Sequence, residues 1–263
     1  MGEVTVGSQR FTFAAFTKDG EPVETPQAAV QFYLLKGQED VRKRSYQAAF
    51  YRLEIEVPHL HEGGEVHGHQ DVKGFYLVPQ AEFDSPGVWR ADVTLGTGER
   101  KGSLAFQVEA STETPAVGAS APASKNPTTK DVPDLAQLTS RTPPYPRFHQ
   151  VSIAEAIQEH RPLVVAFSTP AFCVSRICGP VLEIVRSVAD GVDNETAFVQ
   201  IEPYDITVAR TQGKLELTPV SKQWGLQSEP WVFVVDKQGK IAAKFEGLLT
   251  PQELLEAIRK VGG

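Results

Sequence analysis

The chain is poor in sulfur, with two cysteines and one methionine among 263 residues. Two cysteines allow one intrachain disulfide and exclude the dense crosslinking of a small secreted scaffold. Long apolar runs are also missing. No segment approaches the roughly 20 uninterrupted apolar residues that a membrane-spanning helix needs. Positive charge is in deficit, 26 Lys and Arg against 33 Asp and Glu, for a formal net charge of -7. That balance argues against a general nucleic-acid surface. The opening MGEVTVGSQRF has no apolar signal region. Two readings stay open: a cytoplasmic protein, or the soluble part of an exported protein made without its signal or anchor.

What is present suffices for two domains: 41% of the residues are hydrophobic. RFTFAAFT, AVQFYLLK, YQAAFYRLEIEV, VKGFYLVPQAEF, VWRADVTL and SLAFQVEA carry aromatic and β-branched residues at strand spacing. Turns separate them, including Asp84-Ser85-Pro86-Gly87, where proline presets one dihedral and glycine tolerates a positive one. Residues 1–110 therefore read as an all-β, immunoglobulin-like sandwich of about seven strands. Residues 111–147 are rich in Pro, Ser, Thr and Ala and read as a linker, partly extended, that can lie across a domain.

Residues 148–263 alternate helix and strand. Ser152 and Glu155 form a capping box for a helix through Glu159. PLVVAFS and TAFVQIE read as buried strands, with a helix between them to about Ala189. Thr207–Trp224 reads as a loop and a short helix. WVFVVD and KIAAKFEG form a hairpin, and Thr250-Pro251-Gln252-Glu253 starts the last helix.

Cys173 and Cys178 sit where PLVVAFS runs into the helix, in PAFCVSRICGP. A helix N-terminus presents unpaired amides and the positive end of a dipole, and both favour thiolate over thiol. Ser175 is a candidate cap, with Cys178 in the first turn and Arg176 adding positive charge. Four intervening residues can be bridged if the segment bends, whereas a fully helical segment holds the sulfurs too far apart.

This element order, with PAFCVSRICGP, SEPWVFVVDKQGKIAAKFEG and the terminal helix, resembles the thioredoxin fold over roughly residues 148–263. The resemblance implies that Pro230 is a cis proline facing the reactive cysteine, with a backbone edge beside it that aligns a bound partner. It implies a catalytic set of Cys173, Cys178 and Pro230, with Phe172, Glu229 and Trp231 at the substrate rim. The spacing departs from the family's Cys-x2-Cys. Alignment from the strand makes Cys173 the nucleophile; alignment of Cys178-Gly179-Pro180 on the family's CGP makes it Cys178. Loop exposure favours Cys173 as attacker and Cys178 as resolver. The family's buried acid is missing, since residues 162–169 contain no Asp or Glu, and Glu202 and Glu229 are the carboxylates that can approach the thiols.

His59, His61, His67 and His69, four of the six histidines, are packed into HLHEGGEVHGH. Two strand-spaced pairs around glycines can fold as a hairpin and hold copper, zinc or nickel, helped by Glu62, Glu65 or Asp71. A solvent-exposed loop with adventitious metal is the plainer reading. FTKDGEPV, GFYLV and PGVWRADVTL resemble the YtkA-like and CopC-like β domains, which implies a setting of metal handling or membrane respiratory modules. Copper chaperones of the SCO kind use Cys-x3-Cys and a distant histidine, and this chain has no histidine after His160.

Three functions follow as expectations. The first is an extracytoplasmic thiol–disulfide oxidoreductase, periplasmic or extracellular and near a membrane through a segment outside this chain. It acts on protein thiols or disulfides and needs no organic cofactor. The second is a copper- or zinc-binding protein that serves a metalloprotein client. The third is a non-catalytic interaction module on the same fold.

Overall fold

The structure, a computed structural model, describes residues 2–37, 39–60, 66–69, 72–98 and 100–262, without the side chains of residues 59, 60 and 66–69. It divides into two compact units, Met1–Glu54 with Lys73–Thr112, and Ile55–Val72 with Glu113–Gly263.

The N-terminal unit contains β1 (Gly7–Phe13), β2 (Gln27–Lys36) and β3 (Glu39–Arg52); β4 (Val57–Leu60) and β5 (Val66–His69) follow in the chain but belong to the other unit. β6 (Gly74–Phe83), β7 (Gly87–Leu95) and β8 (Arg100–Val108) complete the first unit. Its strands hydrogen-bond as one antiparallel sheet in the order β1-β6-β3-β2-β7-β8. The edge strands nearly meet: Thr5 bridges Glu109, and the Phe11 and Phe106 rings lie 5.1 Å apart across the interior. The β-rich character agrees with the sequence reading. The two-sheet sandwich does not, because the described strands form one strongly curled sheet. Alternation tells which side chains point inward; it cannot tell two facing sheets from one that rolls over its own core. Phe11, Phe32, Phe83, Trp89 and Phe106 fill that core, mostly edge to face.

The C-terminal unit is built on a four-stranded sheet, β10 (Ala197–Ile201), β9 (Leu163–Phe167), β11 (Trp231–Val235) and β12 (Ile241–Glu246), in that order. β10 and β9 are parallel; β11 is antiparallel to β9 and to β12. Every residue of β9, β10 and β11 is buried, as expected for strands covered on both faces. The helices are α1 (Ile153–Gln158), α2 (Cys178–Gly191), α3 (Ile206–Gln212), α4 (Pro219–Gln223) and α5 (Pro251–Gly262). The capping boxes form as read: Ser152 with Glu155 at α1, and Thr250 with Glu253 at α5. The region read as one short helix holds two, α3 and α4, separated by a left-handed Gly213.

Residues 113–147, read as a linker, are part of this unit. Thr114, Ala121, Ser124, Asn126, Thr128, Thr139, Ser140 and Arg141 are buried in it. The strap docks through its backbone rather than an apolar face. Gly118 N donates to Ile241 O, Ala121 N to Gly239 O, and Thr129 N to His149 O. Such bonds leave no hydrophobic period in the sequence, so composition alone reads the segment as spacer. Arg141 is clamped to Glu183 on α2 by two hydrogen bonds of 2.6 and 3.1 Å, both groups buried.

Candidate active site

The loop between β9 and α2 carries both cysteines, and they form a disulfide with Cα atoms 6.0 Å apart. The segment bends as the spacing requires: Arg176 takes a left-handed φ of 60°, and α2 begins only at Cys178. Val174, Ser175 and Arg176 are exposed on the outside of the bend. Ser175 does not cap the helix. Ile177 occupies the cap position without a side-chain bond, and the Cys178 amide instead donates to Cys173 Sγ at 3.3 Å. The sulfur thus accepts one of the free amides of the first turn. Ser175 Oγ lies 3.3 Å from the same sulfur.

The two cysteines differ sharply in exposure. Cys173 is half-buried, whereas Cys178 is 0% exposed. Behind them is a polar frame. Ser168 Oγ donates to Cys178 O at 2.8 Å, and Gln200 Nε2 donates to Ser168 O at 2.8 Å. Ser140 of the strap accepts from Ala171 N at 3.1 Å, and its own amide donates to Glu202 Oε1 at 2.6 Å. Burial raises the Glu202 pKa above the ordinary carboxylate value, against the lowering effect of Thr169, Ser140 and Gln200. Glu202 Oε2 and Gln200 Oε1 are buried without partners among the described residues. An unpartnered buried oxygen and the raised pKa both disfavour the charged carboxylate.

Pro230 follows a cis peptide bond from Glu229. The Glu229 carboxylate and the sulfurs of Cys173 and Cys178 all lie within 4.8 Å of one another. Tyr204, from the segment before α3, donates to Glu229 Oε2 at 2.7 Å. Burial first, and the Glu229 carboxylate second, raise the Tyr204 pKa, so its hydroxyl remains a donor. Sequence reasoning missed Tyr204, Ser140 and Arg141. Tyr204 lies between the cysteines and Pro230 in sequence with no motif around it, and the other two sit in the segment that composition labelled a linker.

The remaining candidates separate. Phe172 is half-buried in the cysteine loop. Trp231 is not at an exposed rim: it is 2% exposed, stacks on Phe233, and donates from its indole to Ser228. As the first residue of an all-buried β11 it faces the core, a constraint that adjacency to Pro230 in sequence does not express. His61 lies outside the described residues, as do the side chains of His59, His67 and His69. The backbone register places His59 opposite His67 and Val57 opposite His69. That ribbon belongs to the C-terminal unit, where Val57 packs on Gly179 so closely that a Cβ there would stand 2.7 Å from its Cγ1. The two sulfurs, bonded to each other here, and the carboxylate are donor types open to a thiophilic metal only after reduction.

An α/β sheet with an antiparallel hairpin at one side, a disulfide at a helix N-terminus and a cis proline beside it define the class: a thioredoxin-like domain with a disulfide-forming Cys-x4-Cys pair. Residues 149–262 match the family model described as a thioredoxin-like domain. No curated protein matches the chain significantly, and no solved structure does. The fold and the pair support a function of the thiol–disulfide oxidoreductase type.

Proposed function

We propose that the C-terminal unit exchanges disulfides with protein partners, with Cys173 as attacking thiol and Cys178 as resolving thiol. One observation carries the assignment: the half-buried Cys173 accepts the Cys178 amide on its sulfur at the start of α2, while Cys178 has no exposed surface. An amide donor at a helix N-terminus favours the thiolate, and only an accessible thiolate can meet a partner's disulfide. Cys173 attacks the partner sulfur and forms a mixed disulfide; Cys178 then displaces the partner thiol and restores Cys173–Cys178. Phe172, half-buried in the same loop, borders the approach, with the Glu229–Pro230 segment beside it. The chemistry needs no organic cofactor. We place it outside the cytoplasm, on thiols or disulfides of client proteins, with the N-terminal unit for docking; the acidic charge balance disfavours nucleic acid as a client.

Thiol labelling in glutathione buffers of defined ratio tests the reading. A reversible transition between roughly -120 and -270 mV is expected. In the same assay Cys178→Ser should trap a partner as a stable mixed disulfide at Cys173, and Cys173→Ser should trap none. A pair that resists reduction below about -300 mV would make the disulfide a structural crosslink and the unit an interaction module. Copper or zinc on the reduced sulfurs would compete for the same atoms, and stoichiometric metal after tag-free purification would favour the metal-delivery reading.

A further inference from the structure

The resolving cysteine poses a problem that the proposed exchange leaves unsolved. Cys173 has an amide donor to stabilise its thiolate. Cys178 has 0% exposure, and a buried thiol ionises poorly. It must nevertheless lose a proton to attack. β9, which leads into the loop, offers no carboxylate, and Glu202, with Oε1 bonded to Ser140 and Gln200 in the frame behind, lies outside the group that holds both sulfurs. Only one carboxylate among the described residues is grouped with both sulfurs, that of Glu229.

We propose that Glu229 is the general base for Cys178 and that Tyr204 positions it, an inference that rests on the exchange reaction above. Tyr204 holds Oε2 at 2.7 Å, and a carboxylate oxygen of Glu229 stands within 4.8 Å of both sulfurs. The Ser228 side chain, bonded to Glu246 of β12, anchors the residue before Glu229. Among the described residues, Glu246 meets Ser228 and Lys244 of β12 lies over the Trp231 ring.

The step balances. In the mixed disulfide, the Cys178 thiol gives its proton to the Glu229 carboxylate. The Cys178 sulfur attacks Cys173 Sγ, a Cys173–Cys178 bond forms, and the bond from Cys173 to the partner sulfur breaks. Its electron pair leaves on the partner as thiolate, which takes the proton from Glu229. The two protein sulfurs are oxidised and the partner disulfide is reduced. In reverse, the protonated Glu229 supplies the proton to the departing Cys178.

Reduced full-length protein mixed with dithiodipyridine separates the two events, because attack releases one coloured thiopyridone and resolution releases the second. This leaving group needs no added proton, so the second phase reads the ionisation of Cys178. Glu229→Gln, which preserves shape, should slow the second release about a hundredfold near neutral pH and change the first by less than about threefold. The deficit should shrink as rising pH ionises the thiol without help. Tyr204→Phe should slow the second release by about threefold to tenfold with a shifted pH midpoint, and Glu229→Asp should restore part of the loss. A second phase in Glu229→Gln that matches the wild type across pH would overturn the assignment, as would equal slowing of both phases. A wild-type protein that releases no thiopyridone at all would instead sink the exchange reaction itself.

Discussion

Phe11, Phe32, Phe83, Trp89 and Phe106 fill the interior of the N-terminal unit, and its described residues include no buried carboxylate, imidazole or guanidinium. The C-terminal unit buries Arg141, Glu183, His149, Gln200 and Glu202 along with its apolar core. The contrast separates two ways of specifying a fold. Ring packing in the curled sheet rewards volume and shape, and its cost of change is a cavity. The buried polar groups of the other unit reward one geometry, because each needs a partner in place. They converge on the strap, the start of α2 and the cysteine loop, where a reacting disulfide needs fixed neighbours. A packed aromatic core explains stability. A buried network around a reactive bond points to chemistry.

The largest expected effect breaks the contrast from the apolar side. Phe32→Ala should cost the N-terminal unit about 4 kcal/mol, through lost burial and the cavity left behind. Denaturation of the full chain should show that unit melting earlier, with the reduction potential of Cys173–Cys178 unchanged. A shifted potential would show that the redox centre depends on the aromatic core.

A smaller loss is expected from Glu183→Ala. It leaves the Arg141 guanidinium buried without its bidentate partner, which should cost about 3 kcal/mol by chemical denaturation. The strap should loosen with it, seen as faster amide exchange at Ser140 and Arg141. A mutant as stable as the wild type would show that the strap is held by its backbone bonds alone.

A third effect is in pH dependence, and the groups that carry it lie in the C-terminal unit. Burial lowers the His149 pKa from 6.5 to about 4. Between those values the unfolded chain binds the proton and the fold does not, so stability from this group is full above 6.5 and is lost as pH falls toward 4. Glu202 acts in the opposite direction. Its pKa is raised by burial from 4.5, so the fold holds a proton that the unfolded chain has lost, and stability falls as pH rises through that interval. Glu202→Gln should therefore remove the alkaline-side loss and raise the melting temperature at neutral pH more than at pH 4.5. An equal shift at both pH values would mean that Glu202 is ionised in the fold.

Some of this was readable from local chemistry. The capping boxes Ser152–Glu155 and Thr250–Glu253 lie within four residues of chain, and the turn at Asp236–Lys240 closes on its own Asp236 carboxylate. The buried runs LVVAF and WVFVV needed only their composition to be read as central strands. Cys173 and Cys178 were legible because the strand-to-helix step and the bend that closes them are adjacent in sequence. Where the reading failed, the deciding contact was distant. Trp231 looks like a rim residue until β9 and β12 flank it. The strap looks like spacer until Ser140 meets Glu202 and Arg141 meets Glu183.

Sequence alone thus determined the β-rich first unit, the alternating second unit and the reactive pair, because periodicity, caps and short spacings act between neighbours in the chain. Tertiary structure decided that the sheet curls on itself, that the strap belongs to the second unit, and that Glu229, bonded to Tyr204, reaches the disulfide. Glu229 stands more than fifty residues beyond Cys173 and meets it only because β11 lies beside β9. No local pattern encodes such an approach, since burial and hydrogen bonding act across space.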